Sequence, residues 1–336
     1  MTSAAPVVIT MGEPAGIGGD VTLQAWACHR DKLPPFFIID DPRRISALAL
    51  TLKLDCSLQT ISDASEAHIF FQKSLPIMPV NPPLNNPVIP GNPMVENAPS
   101  VIGAINQAVS HVLEGNASAL VTNPIHKATL QNAGFSYPGH TEYLNQFAMP
   151  ESQAVMMLVG GGLRVVPVTS HMSIHEAVAT LSTDAIIAHG LVTASALYSD
   201  FKIDKPRLAV AALNPHAGED GKFGSEEIKI ISPAVRALQS HGLDVVGPLP
   251  ADTLFHQGAR KEYDAVLCMY HDQALIPLKT LDFYGGVNLT LGLPFVRTSP
   301  DHGTAFNIAG GGGARCDSLV SAICLASEIV SHRRIV

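Results

Sequence analysis

Short apolar runs, each the length of a strand and each bounded by Gly, Asn or Pro, recur along this chain. They alternate with segments of helical periodicity. Residues 7–10, 36–39, 77–80, 118–121, 208–213, 264–269 and 288–291 are runs of this kind, and 154–168 reads as two strands joined around Gly160–Gly162. Helical periodicity covers 21–29, 100–114, 174–181, 183–198, 226–241 and 318–329. A continuous apolar run without in–out alternation suits a strand covered on both faces, as in a parallel sheet between helix layers. The alternation predicts an α/β fold with largely parallel sheets. The stretch NPPLNNPVIPGNP at 81–93 is irregular by composition.

Length and composition narrow the function classes. A chain of 336 residues forms one large domain or two medium ones, and 46% hydrophobic against 15% charged residues supplies ample core material. No segment has the 18 or so uninterrupted apolar residues of a membrane helix. The net charge of −8 and the lack of any Lys/Arg-rich run speak against nucleic acid and against an anionic membrane surface as partners. The N-terminal MTSAAPVVITMGEPAG has no basic segment followed by a long apolar one, so a cytoplasmic place is expected. Cys28, Cys56, Cys268, Cys316 and Cys324 show no CxxC spacing, which favours reduced thiols over disulfides or a Cys-based zinc site.

Three polar motifs follow strand-like runs: SHM, NPHAGEDG and YHDQ, carrying His171, His216 and His271. In open α/β folds ligands bind outside the carboxyl ends of strands, so distant histidines can converge there. Neutral imidazoles suit zinc and similar divalent metals, and three protein ligands leave a position open for substrate. Any one of them alone reads equally as a hydrogen-bonding residue; the shared setting singles them out. His175, four residues after His171, is a weaker partner because Met172 and Ser173 begin the turn into a helix.

Anion-binding groups cluster elsewhere. GHTEYL at 139–144 sets His140 and Thr141 at a helix start, where free backbone N–H groups favour an anion, although Thr141 serves equally as a cap. Lys279, Asn288 and Arg297 bring a cation, an amide and a guanidinium into 19 residues, and Arg297 stands inside the apolar LPFVRTS. A guanidinium suits bidentate grip on carboxylate or phosphate. Asp252 and Asp272 are orienting or acid/base carboxylates, with helix capping the plain alternative for Asp252.

Two glycine-rich loops differ in content. GEPAGIGGD does not match a dinucleotide fingerprint: Gly12, Gly16, Gly18 and Gly19 have the wrong spacing and Pro14 interrupts it. DHGTAFNIAGGGGA at 301–314 instead resembles the HGSAPDIAGKG nucleotide loop of the isocitrate and isopropylmalate dehydrogenases. That resemblance assigns His302, Gly303, Thr304, Asn307 and Gly310 to cofactor binding.

Seven runs then appear in order: MGEPAGIGGD (11–20), TNPIHK (122–127), YPGHTEYL (137–144), NPHAGEDG (214–221), PADT (250–253), MYHDQALIPLK (269–279) and GVNLTLGLPFVRTSPDHGTAF (286–306). Together they resemble the 4-hydroxythreonine-4-phosphate dehydrogenases, of the isocitrate/isopropylmalate dehydrogenase-like superfamily. The resemblance implies two α/β subdomains, a cofactor-side one of 1–130 plus 280–336 and a metal and dimerisation one of 131–279, with the active site in the cleft between them. It implies one divalent cation (Zn, Mg or Co) per site on His171, His216 and His271, and NAD or NADP as oxidant. It also implies a homodimer whose sites draw residues from both chains. His140, Thr141, Lys279, Asn288 and Arg297 then contact a small phosphorylated amino-acid substrate, with Lys279 the leading acid/base and Asp272 and Asp252 orienting groups. An alternative within the same scaffold is a dehydrogenase of 4-phospho-D-threonate or 4-phospho-D-erythronate. A non-enzymatic phosphate-binding protein would have lost the histidines or the loop, and an acyltransferase would need a CoA site; neither pattern is present. The chain departs from the family at Gly19–Asp20, where GIGPE is usual, at Gly311 and at Asn307, which leaves cofactor preference open.

Overall fold

The computed structural model describes residues 5–137, 139–147 and 153–333. Residues 1–4, part of the N-terminal reading, and Pro138 of YPGHTEYL lie outside them. The chain divides into two compact units, Met1–Gln146 with Pro294–Ser331, and Phe147–Leu293 with His332–Val336.

The first unit opens with β1 (Val7–Thr10), α1 (Gly18–His29), β2 (Phe36–Asp40) and α2 (Pro42–Thr51). Asp41 starts α2 sharply: its carboxylate accepts from Arg43 N at 2.8 Å and Arg44 N at 3.4 Å, and Pro42 fills a first-turn position whose N–H would have no helical partner. β3 (Leu58–Thr60), α3 (Glu66–Phe70), β4 (Leu75–Pro79), α4 (Ala98–Leu113), β5 (Ala119–Thr122), α5 (Lys127–Asn132) and α6 (His140–Leu144) follow.

The second unit contributes β6 (Val155–Gly160), β7 (Leu163–Pro167), α7 (Ile174–Thr180), α8 (Thr183–Ser199), β8 (Arg207–Ala211), α9 (Ser232–Ser240), β9 (Asp244–Leu249), β10 (Ala265–Cys268), α10 (His271–Leu281) and β11 (Val287–Leu291). The chain then returns to the first unit through β12 (Arg297–Pro300) and into α11 (Asp317–Arg333).

In the first unit the strand order is β3-β4-β2-β1-β5-β12, parallel throughout. β1, β2 and β5 are buried along their whole length, as a sheet covered on both faces requires. Successive strands run outward from β1 to β2 on one side and continue with β5 on the other, so a topological switch point lies between β1 and β5.

The second unit has the order β11-β6-β7-β10-β8-β9. β11 and β6, and β6 and β7, pair antiparallel, whereas β7, β10, β8 and β9 are parallel neighbours. Leu158, Val165, Ala209, Val266, Cys268, Ala274 and Leu278 form its core, tying α10 to the strands. Chain order is thus α/β and largely parallel, as the alternation predicts.

The units change over later along the chain than residues 130 and 279. Tyr143 hydrogen-bonds Asn106 and so stays with the first unit, and β11 pairs with β6 and so stays with the second. The expected helix over 226–241 also differs: Glu227–Ile231 is a single π-helical turn, and α9 begins only at Ser232, followed by Pro233. All five cysteines are free thiols; burial pushes the Cys56 thiol up to about 11 and Cys268 further. No single helix among the described residues is long and apolar enough to cross a membrane.

Candidate active site

In the second unit, β7, β10 and β8 lie side by side and parallel, and their carboxyl ends lead to His171, His271 and His216. His171 sits in the left-handed region at φ 53°, just before Ser173 caps α7 through a reciprocal box with Glu176. That cap separates His171 from His175, so the two share no helix face. The His171 and His271 rings are 5.8 Å apart, centroid to centroid, and both line a cavity of about 560 Å³ with Thr169, Tyr270 and Asp272.

Asp272 Oδ1 lies 2.7 Å from His271 Nδ1. With Nδ1 donating, Nε2 is the nitrogen left for a metal, the usual arrangement of a carboxylate behind a metal-bound imidazole. These two imidazoles fit half of a divalent-metal site. His216 does not complete it within one chain: among the described residues no group of three or more His, Cys, Asp and Glu side chains is placed to hold a metal ion. His216 is exposed and packs edge-on against Phe223, with centroids 6.0 Å apart. Its backbone is left-handed, as are the next four residues, Ala217, Gly218, Glu219 and Asp220. Such a conformation costs a non-glycine residue roughly 1–2 kcal/mol, so something must hold it.

Lys279 lies on α10, seven residues beyond Asp272 on the same face and so about 10 Å along the axis. Its Nζ stands 5.4 Å from the centre of the Phe283 ring. Asn288, in β11, donates from Nδ2 to Met156 Sδ at 3.4 Å, and among the described residues its buried Oδ1 has no partner. Asp252 is exposed inside a three-residue 3₁₀ turn, Ala251–Thr253, whose N-cap position is Pro250.

The first unit gathers groups that a bound anion would need. Arg297, 2% exposed, starts β12 and donates from Nη2 to Thr122 Oγ1 at 2.6 Å. Burial lowers its pKa to about 10, against the pull of Glu142, so it remains a cation at neutral pH. His140 opens α6; Thr141 follows it. Burial first, then the charges of Arg297 and Lys127, hold His140 well below the ordinary histidine range, and among the described residues its buried Nε2 has no partner. Two cations beside a neutral imidazole make a receptor for a phosphate or carboxylate. Lys127 and Thr122 belong to this group and were visible in TNPIHK only as a motif without a stated role.

The loops after β1, β5 and β12 gather at the switch point. Glu13 N donates to Pro124 O at 2.8 Å, and Ile17 N to Thr304 O at 3.0 Å. A Cβ at Gly16 would come within 2.9 Å of Thr304 O, which explains a glycine there. Gly310 N, at φ 69°, donates to Asp20 Oδ1 at 2.8 Å, so the Asp that departs from the family pattern anchors the second glycine loop. Asp20 is 1% exposed and burial raises its pKa; among the described residues its Oδ2 has no partner. His302 Nδ1 lies 3.1 Å from Gly303 O, Asn307 falls in the 3₁₀ turn Phe306–Ile308, and Gly303, Gly312 and Gly313 face open space. An open, glycine-lined loop outside the carboxyl ends of parallel strands fits the adenosine end of a dinucleotide.

The chain is 50% identical to a 4-hydroxythreonine-4-phosphate dehydrogenase of Caulobacter vibrioides, over 99% of both chains. A crystal structure of a 4-hydroxythreonine-4-phosphate dehydrogenase from Klebsiella pneumoniae superposes with a TM-score of 0.86 at 37% identity, covering 97% of this chain and 99% of that one. A terephthalate 1,2-cis-dihydrodiol dehydrogenase from Burkholderia xenovorans is more distant, with a TM-score of 0.64 and 27% identity over 96% and 98% of the two chains. The model of the family described as pyridoxal phosphate biosynthetic protein PdxA matches residues 32–326, and this chain belongs to that family.

Proposed function

We propose that the chain oxidises 4-phosphooxy-L-threonine at C3 with NAD⁺ or NADP⁺ and decarboxylates the product to 3-amino-2-oxopropyl phosphate and CO2. This places it in pyridoxine 5′-phosphate biosynthesis, in the cytoplasm. The carrying observation is the 50% identity, over the whole of both chains, to a dehydrogenase named for that substrate. The chain is an oxidoreductase.

Each group then has a task. Arg297, Lys127 and His140 bind the substrate phosphate, with Thr141 and Asn288 completing the contacts. His171 and His271 hold a divalent cation (Zn, Mg or Co), His216 of a second copy supplies the third imidazole, and the protein works as a homodimer with shared sites. Loop residues His302, Gly303, Thr304, Asn307 and Gly310 hold the dinucleotide. When bound, the metal supplies Lewis-acid polarisation at the C3 oxygen and stabilises the charge left as CO2 departs, while the nicotinamide supplies the hydride acceptor. Lys279 takes up the C3 hydroxyl proton and later returns a proton to C2. Asp272 orients His271, and Asp252 is a further orienting carboxylate.

The test is direct. Purified protein with 4-phosphooxy-L-threonine, a divalent metal and NAD⁺ or NADP⁺ should form reduced cofactor and CO2 in equal amounts. 4-Phospho-D-threonate and 4-phospho-D-erythronate are assayed in parallel. Turnover of those alone would move the assignment to sugar-acid oxidation, and no turnover of any of the three would sink it.

A further inference from the structure

The left-handed turn that carries His216 is held by one buried carboxylate to which the reaction assigns no part. From His216 to Asp220 five successive residues have φ of 52°, 53°, 77°, 42° and 56°, and only Gly218 is suited to it. Glu227, 3% exposed, stands at the start of the π-helical turn Glu227–Ile231. Its Oε1 accepts from Leu213 N at 2.9 Å and from Asn214 N at 2.7 Å, and its Oε2 accepts from Asn214 Nδ2 at 3.0 Å. Asn214 Nδ2 also donates to Glu226 Oε2 at 2.7 Å. Glu227 Oε2 fills the place of a Gly218 side chain, where a Cβ would lie 2.6 Å from it. Glu227 therefore ties the two residues leading into the turn and sits against its middle. Beyond the turn, Phe223 N donates to Gly218 O at 3.1 Å, and Gly224, at φ 132°, makes room for Asn214 Nδ2 and Glu226 Oε2.

We propose that Glu227 is a positioning residue for the metal site: by fixing the left-handed turn it sets the direction in which His216 is offered to the metal. The proposal rests on His216 being a metal ligand. A right-handed backbone at 216–220 would point the imidazole elsewhere while leaving β8 and α9 intact. Glu227 donates nothing to the metal itself and acts through the two backbone N–H groups and the Asn214 amide. The wide π-helical turn, a feature often found at functional sites, is where the carboxylate enters.

Metal binding tests this without relying on turnover. Co2+ is titrated into the metal-free full-length protein, with visible absorption reporting the coordination and thermal unfolding of the metal-free form reporting the fold. His216→Ala should abolish the Co2+ spectrum; an unchanged spectrum there would remove the reading on which the proposal rests. Glu227→Gln keeps one acceptor oxygen but sets an amide against the Asn214 amide. It should weaken Co2+ binding about tenfold to a hundredfold and alter the spectrum, with the metal-free unfolding midpoint close to wild type. Asn214→Ser, which removes the bridging amide and keeps both backbone bonds, should give a smaller loss of the same kind, and it decides the matter if Glu227→Gln does not fold. Wild-type Co2+ affinity and spectrum in a folded variant, or a loss of affinity matched by an equal loss of metal-free stability, would overturn the proposal.

Discussion

Arg297 and Thr122 lie on neighbouring parallel strands, β12 and β5, and the guanidinium Nη2 donates to the threonine Oγ1 at 2.6 Å. The bond fixes a buried cation at the edge of the switch point, close enough for its charge, with that of Lys127, to act on His140. A buried guanidinium has little water around it, so an arriving anion is held strongly. Arg297→Met should raise KM for the phosphorylated substrate roughly tenfold to a hundredfold, the worth of a charged hydrogen bond. The unfolding midpoint of the free protein should stay level or rise, because an apolar side chain of similar length avoids the desolvation of the charge. Steady-state kinetics and calorimetry together check this; a fall in stability with unchanged KM would contradict it.

His140 predicts a pH effect of definite sign. Its folded pKa lies well below 6.5, mainly through burial, so between the two values the unfolded chain binds the extra proton. Stability is then fully present above pH 6.5 and is lost as pH falls towards the folded pKa. His189, also lowered by burial, adds to the same slope. Asp20, Glu13 and Asp40 have raised pKa values and act in the opposite sense, since the folded state holds their protons longer. His140→Gln should therefore flatten the loss of stability below pH 6.5 in urea titrations at stepped pH, and a parallel curve would refute the assignment.

Asp272 carries a prediction about metal retention. Asp272→Asn keeps the shape but weakens the bond that fixes the His271 tautomer. Divalent-metal affinity should fall about tenfold to a hundredfold, read as metal per chain after dialysis. Unaltered metal content would show that the pair is only a surface ion pair.

The second glycine loop separates packing from recognition. Gly16→Ala forces a Cβ to 2.9 Å from Thr304 O and should cost about 1–3 kcal/mol of stability together with dinucleotide affinity. Gly303→Ala meets open space and should leave stability unchanged while lowering nicotinamide-dinucleotide affinity in fluorescence titrations. Equal dinucleotide binding by wild type and Gly303→Ala would remove Gly303 from the cofactor site.

What the sequence displayed was hydrophobic patterning, and that made most of the strands and the α/β class legible. β12 escaped because RTSP is polar yet wholly buried. β9 escaped because DVVGPL carries Gly and Pro and lies at a sheet edge. α10 was obscured by Pro277 in its interior. Strand ends marked His171, His216 and His271 alike, and the fold brings the rings of His171 and His271 together; periodicity carries no information about handedness in a loop. The left-handed run at His216, and Glu227 behind it, became visible only in the fold. Lys127 stayed hidden because its importance is a matter of field at His140 and leaves no mark on spacing.

Lys279 is the remaining test of the chemistry, because a cation in this position has two distinct uses. As an anchor for phosphate or carboxylate it would lower KM; as the group that moves the C3 proton it would raise kcat. Its place on α10, on the face that begins with Asp272, favours the second. Lys279→Ala should lower kcat by about 10²–10⁴, the usual contribution of a positioned acid or base, with substrate KM and metal content near wild type. The gap in front of Phe283 left by the shortened side chain should admit a small primary amine. Added methylamine or ethylamine should then restore part of kcat in a concentration-dependent way, more so at higher pH where the free amine is neutral. A variant that lost only KM, with no amine rescue, would reassign Lys279 to substrate binding and leave the proton transfer to another group.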